Sequence, residues 1–417
     1  MSANIHTPHA AETFTDLLTV QPDGSLRLQP GVHPLPELLE LSGEGVLEAF
    51  RVSQQADFRK VINELEDPAN PLNRMFAELR AIAADEPGNP FPTLDIFQPG
   101  ALEALFMDLH EHVMGHPVWR HPFFMRVFAG DFNLEQLKAF GQHYFNQVKN
   151  TRQCVALAIG RFNGLMEMPY GVLNERVSEL AQIILAQLVA DEYGVGSHGL
   201  SDYPSLHGLF SSTTHMVMYR QLFEGLDIAF PEQDVPMLHG VADNVLIQRL
   251  VAGDGAFTMQ ESLASVGLGM EWGVPEFFSL LLGGMIRYAW RERIPLTRHH
   301  LWVFIAHVAY DVLHAISVML ITSFFTSGPD SVARIKGATN TLMAGRYGMM
   351  TDVYRSLFNE ECPTLADIDL DPAYHLTDRR IETALLAARQ RVSTPRVVDA
   401  EAYRARTDTP FVFAAGV

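Results

Sequence analysis

From Ala101 onward, apolar residues recur at i, i+3, i+4 and i+7, and β-branched runs of alternating polarity are nearly absent. The pattern predicts helices over 101–115, 134–163, 171–193, 205–226, 236–252, 257–270, 274–291, 299–325 and 331–358. Asn133 and Thr297 stand where N-caps belong, Pro169 and Pro275 sit near helix starts, and Gly194 and Gly328 follow apolar runs as stops. The body therefore reads as all-α. Residues 1–100 break this pattern with recurrent Pro and Gly (QPDGSLRLQPGVHPLPELLELSGEG, then DEPGNPFPTLDIFQPG), and only Leu47 to Ile82 carries a helical period. They read as an extension packed on a main domain at 101–358. After Asn359 the chain turns short and polar, with one helix expected in DRRIETALLAARQRV and a weakly structured tail, so 359–417 forms a third part. No fixed-period repeat points to a solenoid.

One segment departs from ordinary amphipathicity. Leu301 to Phe325, LWVFIAHVAYDVLHAISVMLITSFF, is almost wholly apolar, yet it contains His307, Asp311 and His314. On a helix these fall at i, i+4 and i+7, within roughly a 60° sector of one face. The run is long enough to span a bilayer, but embedded ionisable groups are costly and no second span exists to shield them. A core helix whose polar groups bond its neighbours is the plainer reading, though it suits a single histidine better than three convergent groups. A buried carboxylate needs a strong compensating partner, and two flanking imidazoles point to a metal ion.

Charge narrows the field. Lys+Arg total 30 against 49 Asp+Glu, a net charge of −19 over 417 residues, with no extended basic cluster, so neither nucleic acid nor an anionic membrane is an expected partner. The two cysteines, Cys154 and Cys362, form no CxxC, which fits a reducing compartment. The first residues lack the charged and apolar regions of a signal peptide, so a cytoplasmic location is the expectation.

Further ligands must come from other helices. Glu271 sits among small and apolar residues in SLASVGLGMEWGVPEFF, poor company for a solvated glutamate. Glu276, after Pro275, suits the first turn of the next helix as an N-terminal charge. Glu192 ends the apolar run LAQIILAQLVADEYG, with Asp191 as a competitor, and His198 or His207 could fold back beside it. Carboxylates and imidazoles with few thiols favour iron or manganese. GVGSHG at 194–199 matches GxGxxG but follows a helical run, so a dinucleotide site is not expected. His110, His112, His116 and His121 look like a cluster, but Gly115 and Pro117 interrupt it and a surface or packing role is expected. No ExxH occurs, against a ferritin-type di-iron bundle.

HVAYDVLHA (His307 to Ala315) resembles the HxxxDxxHA signature of heme-oxygenase-like di-iron oxidases and oxygenases. GMEWGVPEFF resembles the family segment in which a ligand glutamate precedes a helix-starting proline, and DEYGVG with SLHGLF resembles its acidic-Gly turn and following helix start. The stretch from His121, HPFFMRVFAGDFNLEQLKAFGQHYFNQVKN, is similar to its opening helical hairpin, and the likeness runs in order over roughly 101–345. The resemblance implies a heme-oxygenase-like helical bundle holding two Fe ions, with Glu192, His207, Glu271, His307, Asp311 and His314 as ligands. His207 is preferred to His198 because it lies in the SLHGLF match, although the turn before it is a few residues longer than the family pattern. Lys149 stands where some members carry an extra acidic ligand. The implied activity is O2-dependent oxidation of a small molecule, such as an amine, amino acid or fatty acid, by N-oxygenation, oxidative decarboxylation or C–C cleavage in specialised metabolism. An external electron donor and a homodimer are compatible with it. Arg152, Arg287 and Tyr310 are candidate substrate anchors. The competing readings are a thiaminase-like or cofactor-independent helical enzyme with at most one metal, and a non-catalytic helical binding protein.

Overall fold

In the computed structural model the described residues are 13–22, 26–29, 39–70, 73, 74, 77, 81, 99–161, 174–193, 215–228, 237–326, 328–392 and 396–406. Among them the chain is all-α apart from one hairpin, β1 (Leu18–Val20) paired antiparallel with β2 (Leu26–Leu28). The helices are α1 (Gly43–Glu66), α2 (Pro99–Met114), α3 (Pro122–Phe128), α4 (Leu134–Arg161), α5 (Asn174–Glu192), α6 (His215–Gly225) and α7 (His239–Gly253). They continue with α8 (Met259–Ala264), α9 (Val274–Glu292), α10 (Trp302–Phe324), α11 (Pro329–Phe358), α12 (Arg380–Arg389) and α13 (Ala400–Ala405). No helix among the described residues is long and apolar enough to cross a membrane.

The expected periods and the observed helices coincide closely in the body, and the exceptions have local causes. The extension helix starts at Gly43, where the Ser42 hydroxyl accepts from the Gly45 N–H at 3.0 Å, and ends at Glu66 because Pro68 holds Asp67 extended. Gly328, expected as a stop for the apolar run, instead forms the N-cap of α11 at φ 140°. The β-hairpin and the short helix α13 do not follow from the apolar period, and α3 lies in the stretch from His121 that resembles a helical hairpin. Each spans seven residues or fewer, too short to display a period. Pro169, Gly194 and most of 67–98 lie outside the described residues.

α11 runs along α7, α7 also lies on α4, and α9 packs on α10 and α3. Between α4 and α7 the core is polar and linked by side-chain hydrogen bonds. Gln147 donates to Gln248 (2.9 Å) and accepts from Asn244 (2.7 Å), while Asn150 donates to Gln248 (2.8 Å). This network fixes the orientation of Gln147 on α4. α1 packs on α2 and α9, and Gln54 of α1 donates to Glu276 at 2.6 Å. Glu276, expected as a helix-start charge, is indeed in the first turn of α9 but is fully buried, and burial raises its pKa to about 8. The C-terminal part is clipped onto α7 by Asp243, which accepts two hydrogen bonds from Arg389 (2.8 and 2.7 Å) and one from Tyr403 (2.8 Å).

Candidate metal centre

α10 supplies the first wall. Hydroxyls at its C-terminal end are bonded locally: Thr322 donates to the Val318 carbonyl (2.8 Å), Ser323 to Leu320 (2.6 Å) and Thr326, just beyond the helix, to Thr322 (2.9 Å). The ionisable stripe is different. His307 and Asp311 are buried and His314 half-buried, and they face the same side as expected from their spacing. His307 Nε2 lies 3.8 Å from Asp311 Oδ2, and His314 Nδ1 lies 3.6 Å from Asp311 Oδ1. The His307 Nδ1 atom is 2.5 Å from the Val303 carbonyl and therefore donates to it, which leaves Nε2 as the ring's acceptor lone pair. The ring stacks on Phe278 of α9, centroids 4.2 Å apart and nearly parallel, so its orientation is locked on both counts.

A π-helical turn supplies the second wall. After α8 the chain continues through Ser265–Glu271 with π geometry, and the Trp272 N–H reaches the Gly267 carbonyl, five residues back, at 2.8 Å. Gly267 and Gly269 permit it: a Cβ at either would fall 2.6 to 2.7 Å from Val318 of α10 or Leu342 of α11. Gly273 then takes φ 76°, with Trp119 against its bare Cα, and lets α9 begin at once with Val274-Pro275. Glu271 is thereby delivered, 2 % exposed, with Oε2 3.9 Å from His314 Nδ1.

Glu192, the last residue of α5 and 3 % exposed, supplies the third. Glu192, Glu271 and His314 each offer a ligand atom within 4.8 Å of the others. Two donors each about 2.1 Å from one ion are themselves about 3 to 4 Å apart, so the 3.6 to 3.9 Å separations along the stripe suit a shared cation better than direct hydrogen bonds. Both glutamates also occupy C-terminal ends of helical segments, where the carbonyl dipoles are already negative. The site thus concentrates negative potential in an apolar surround, the arrangement a metal ion relieves.

All of these groups except His314 line one cavity with about 410 Å3 of non-atom space, part of it open to solvent. Glu192, Glu271, His307 and Asp311 line it, together with Tyr144, Gln147 and Arg346. Of the apolar residues next to these groups in sequence, Met270 lines the cavity, whereas Phe304, Ile305, Val308 and Trp272 are buried but do not line it. Trp272 turns away toward α2, donating from its indole N–H to His110 at 3.2 Å and stacking on Phe58. Val148, Val274 and Phe278 take its place. His207 and His198 lie outside the described residues, as do 194–199, and the side chains of Asp191 and Tyr310 are likewise not described.

Arg152 and Arg287 are not part of the cavity wall. Arg152 lies over Tyr193, and Arg287 covers Phe128 at 4.2 Å while donating to the Leu39 carbonyl at 2.9 Å, so it ties the extension to the body. Lys149 lies over Phe145 at 4.6 Å. Tyr144, Gln147 and Arg346 escaped the sequence reading because each sits in a helix with an ordinary period, and nothing local marks them as facing a cavity.

The four N-proximal histidines are not a cluster of ligands. His110, His116 and His121 are buried and His112 bonds Asn340 at 2.7 Å, so the role is packing rather than surface. His116 and His121 each cap a helical turn that starts with proline, accepting on Nδ1 from Val118 and Phe123 at 3.1 Å. Burial lowers their pKa values to about 3 and that of His110 to about 4, so all three are neutral near pH 7.

In comparison with known proteins, no family model matches the chain and no significant match to a curated protein was found.

Proposed function

We propose that the protein is a non-heme di-iron, O2-dependent oxidase or oxygenase built on a heme-oxygenase-like helical bundle and acting on a small molecule. The observation that carries this reading is the convergence of Glu192, Glu271 and His314 within 4.8 Å, beside a cavity that Glu192, Glu271, His307 and Asp311 line. Glu192, Glu271, His307, Asp311 and His314 would hold the metal, with His207 from the 194–214 segment as the sixth ligand. Two ferrous ions there would supply the electrons for reducing O2. The chain itself contributes position and an apolar wall. Val303 fixes the His307 tautomer, Phe278 fixes its ring plane, and Val148, Met270, Val274 and Phe278 form the apolar part of the cavity wall.

The test is iron stoichiometry by elemental analysis, with O2 consumption by the Fe(II)-loaded protein measured in pools of amino acids, amines and fatty acids. About two irons per chain and a pool that accelerates O2 uptake are expected. No iron uptake, with His307→Ala indistinguishable from wild type, would sink the assignment. A second reading, a single ion at the Glu192–Glu271–His314 trio, is favoured by that trio being the one metal-competent group among the described residues. It predicts one equivalent of metal per chain.

A further inference from the structure

Arg346 lies on α11, which provides none of the proposed ligands, yet it lines the same cavity. It is 6 % exposed. One of its guanidinium nitrogens, Nη2, donates to the Met270 carbonyl at 3.3 Å, and the guanidinium lies 5.4 Å from the Trp119 ring centroid. The other, Nη1, is buried with no hydrogen-bond partner. No carboxylate lies within ion-pairing distance of it among the described residues, although Glu271 is near enough to act on it through space. A buried arginine without a paired anion is costly and uncommon. Tyr144 of α4 lines the cavity beside it, and burial keeps its phenol protonated, so it too presents a donor.

We infer that Arg346 anchors the substrate by its carboxylate, with Nη1 donating to that group and the apolar walls taking the substrate's body. The inference rests on the oxygenase reading and names the substrate class for it: a small monocarboxylate with an aliphatic or aromatic body. Charge favours this. The three carboxylates Glu192, Glu271 and Asp311 against two divalent ions leave one formal positive charge, and Arg346 adds another, so the loaded site calls for an anion. Val148, Met270, Val274 and Phe278 form an apolar side of the cavity against which a hydrocarbon body can pack. The guanidinium's fixed fork is what a lysine lacks for holding a planar carboxylate.

The test titrates metal-free and Mn(II)-loaded protein with hexanoate and phenylacetate, and with the matched neutral amides, by calorimetry. Wild type is expected to bind at least one acid tenfold or more tighter than its amide, with the preference sharper when loaded. Arg346→Gln should abolish that preference, Arg346→Lys should keep part of it, and both should retain wild-type metal content and thermal midpoint. Absence of the preference in wild type, or its survival in Arg346→Gln, overturns the inference. Parallel loss of metal in both variants also overturns it, because Arg346 would then serve the ligand carboxylates rather than a substrate. A preference in wild type that takes up no iron leaves the anchor standing and removes the oxygenase reading, so the two fail separately.

Discussion

Two buried histidine groups in this protein look alike in composition and differ in what their atoms are committed to. At the corner from His110 to His121, ring nitrogens are spent on helix caps, on the Trp272 indole and on side chains such as Asn340 and Thr351. On α10, His307 uses one nitrogen to set its tautomer and turns the other toward Asp311, while His314 lies between Asp311 and Glu271 at distances beyond a direct hydrogen bond. The first group stabilises the fold as neutral imidazole. The second is arranged around a point in space. Burial alone therefore does not mark a candidate metal centre; convergence of ligand atoms on one another does.

The strongest way to break this contrast is to remove one member of each group. His307→Ala or Glu271→Ala should lower iron affinity at least 100-fold by elemental analysis or competition with a chelator, without lowering the unfolding midpoint of the metal-free protein. Equal metal loss in His121→Ala would erase the distinction. The lone buried carboxylate Glu276 sharpens the contrast from the other side. Among the described residues it belongs to no metal-competent group, and it meets its desolvation by taking up a proton, its folded pKa of about 8 lying above the ordinary 4.5. The stability this contributes is complete below about pH 4.5 and is lost as pH rises through about 8. Glu276→Gln should thus flatten the alkaline limb of a stability–pH profile, a gain on the order of 3 kcal/mol at pH 9 in chemical denaturation. An unchanged limb would show that the buried carboxyl is ionised at no cost.

The smallest effect is expected at the capping corner. His121→Ala removes a cap, a bond to Thr351 and packing against Tyr347, and should cost about 2 kcal/mol in denaturant unfolding at pH 7, with His121→Asn recovering the cap's share. Because the folded pKa is depressed from 6.5 to about 3, this contribution is present above pH 6.5 and is lost as the pH falls toward 3. The wild-type and Ala variants should converge in acid. A difference that persists at pH 4 would assign the loss to packing alone.

Much of the body was legible because its helices are long and their apolar period repeats several times, as on α4, α10 and α11. The stripe on α10 and the isolation of Glu271 were legible for the same reason: an ionisable residue inside an apolar run has no ordinary explanation. Arg346 and Tyr144 were hidden because a helix period says which face is buried, not which buried face borders a cavity. Trp272 shows that sequence neighbours need not share a wall. Its neighbour Glu271 reaches the cavity, but the π turn ends between them and an extended residue points the indole at α2. The caps at His116 and His121 were obscured because His is an uncommon cap, and only the following prolines marked the helix starts.

The π turn also bears on how this site tolerates insertion and deletion. A single residue removed between Ser265 and Met270 would let the segment relax to an ordinary helix, and each residue of an α-helix advances the phase by about 100°. Glu271 would keep its identity and its neighbours in sequence, yet swing away from His314. A chain with every ligand in place but one residue fewer here would then be a sound helical protein with a dismantled centre. Residue count in this stretch, and not only side-chain type, is part of the site's specification.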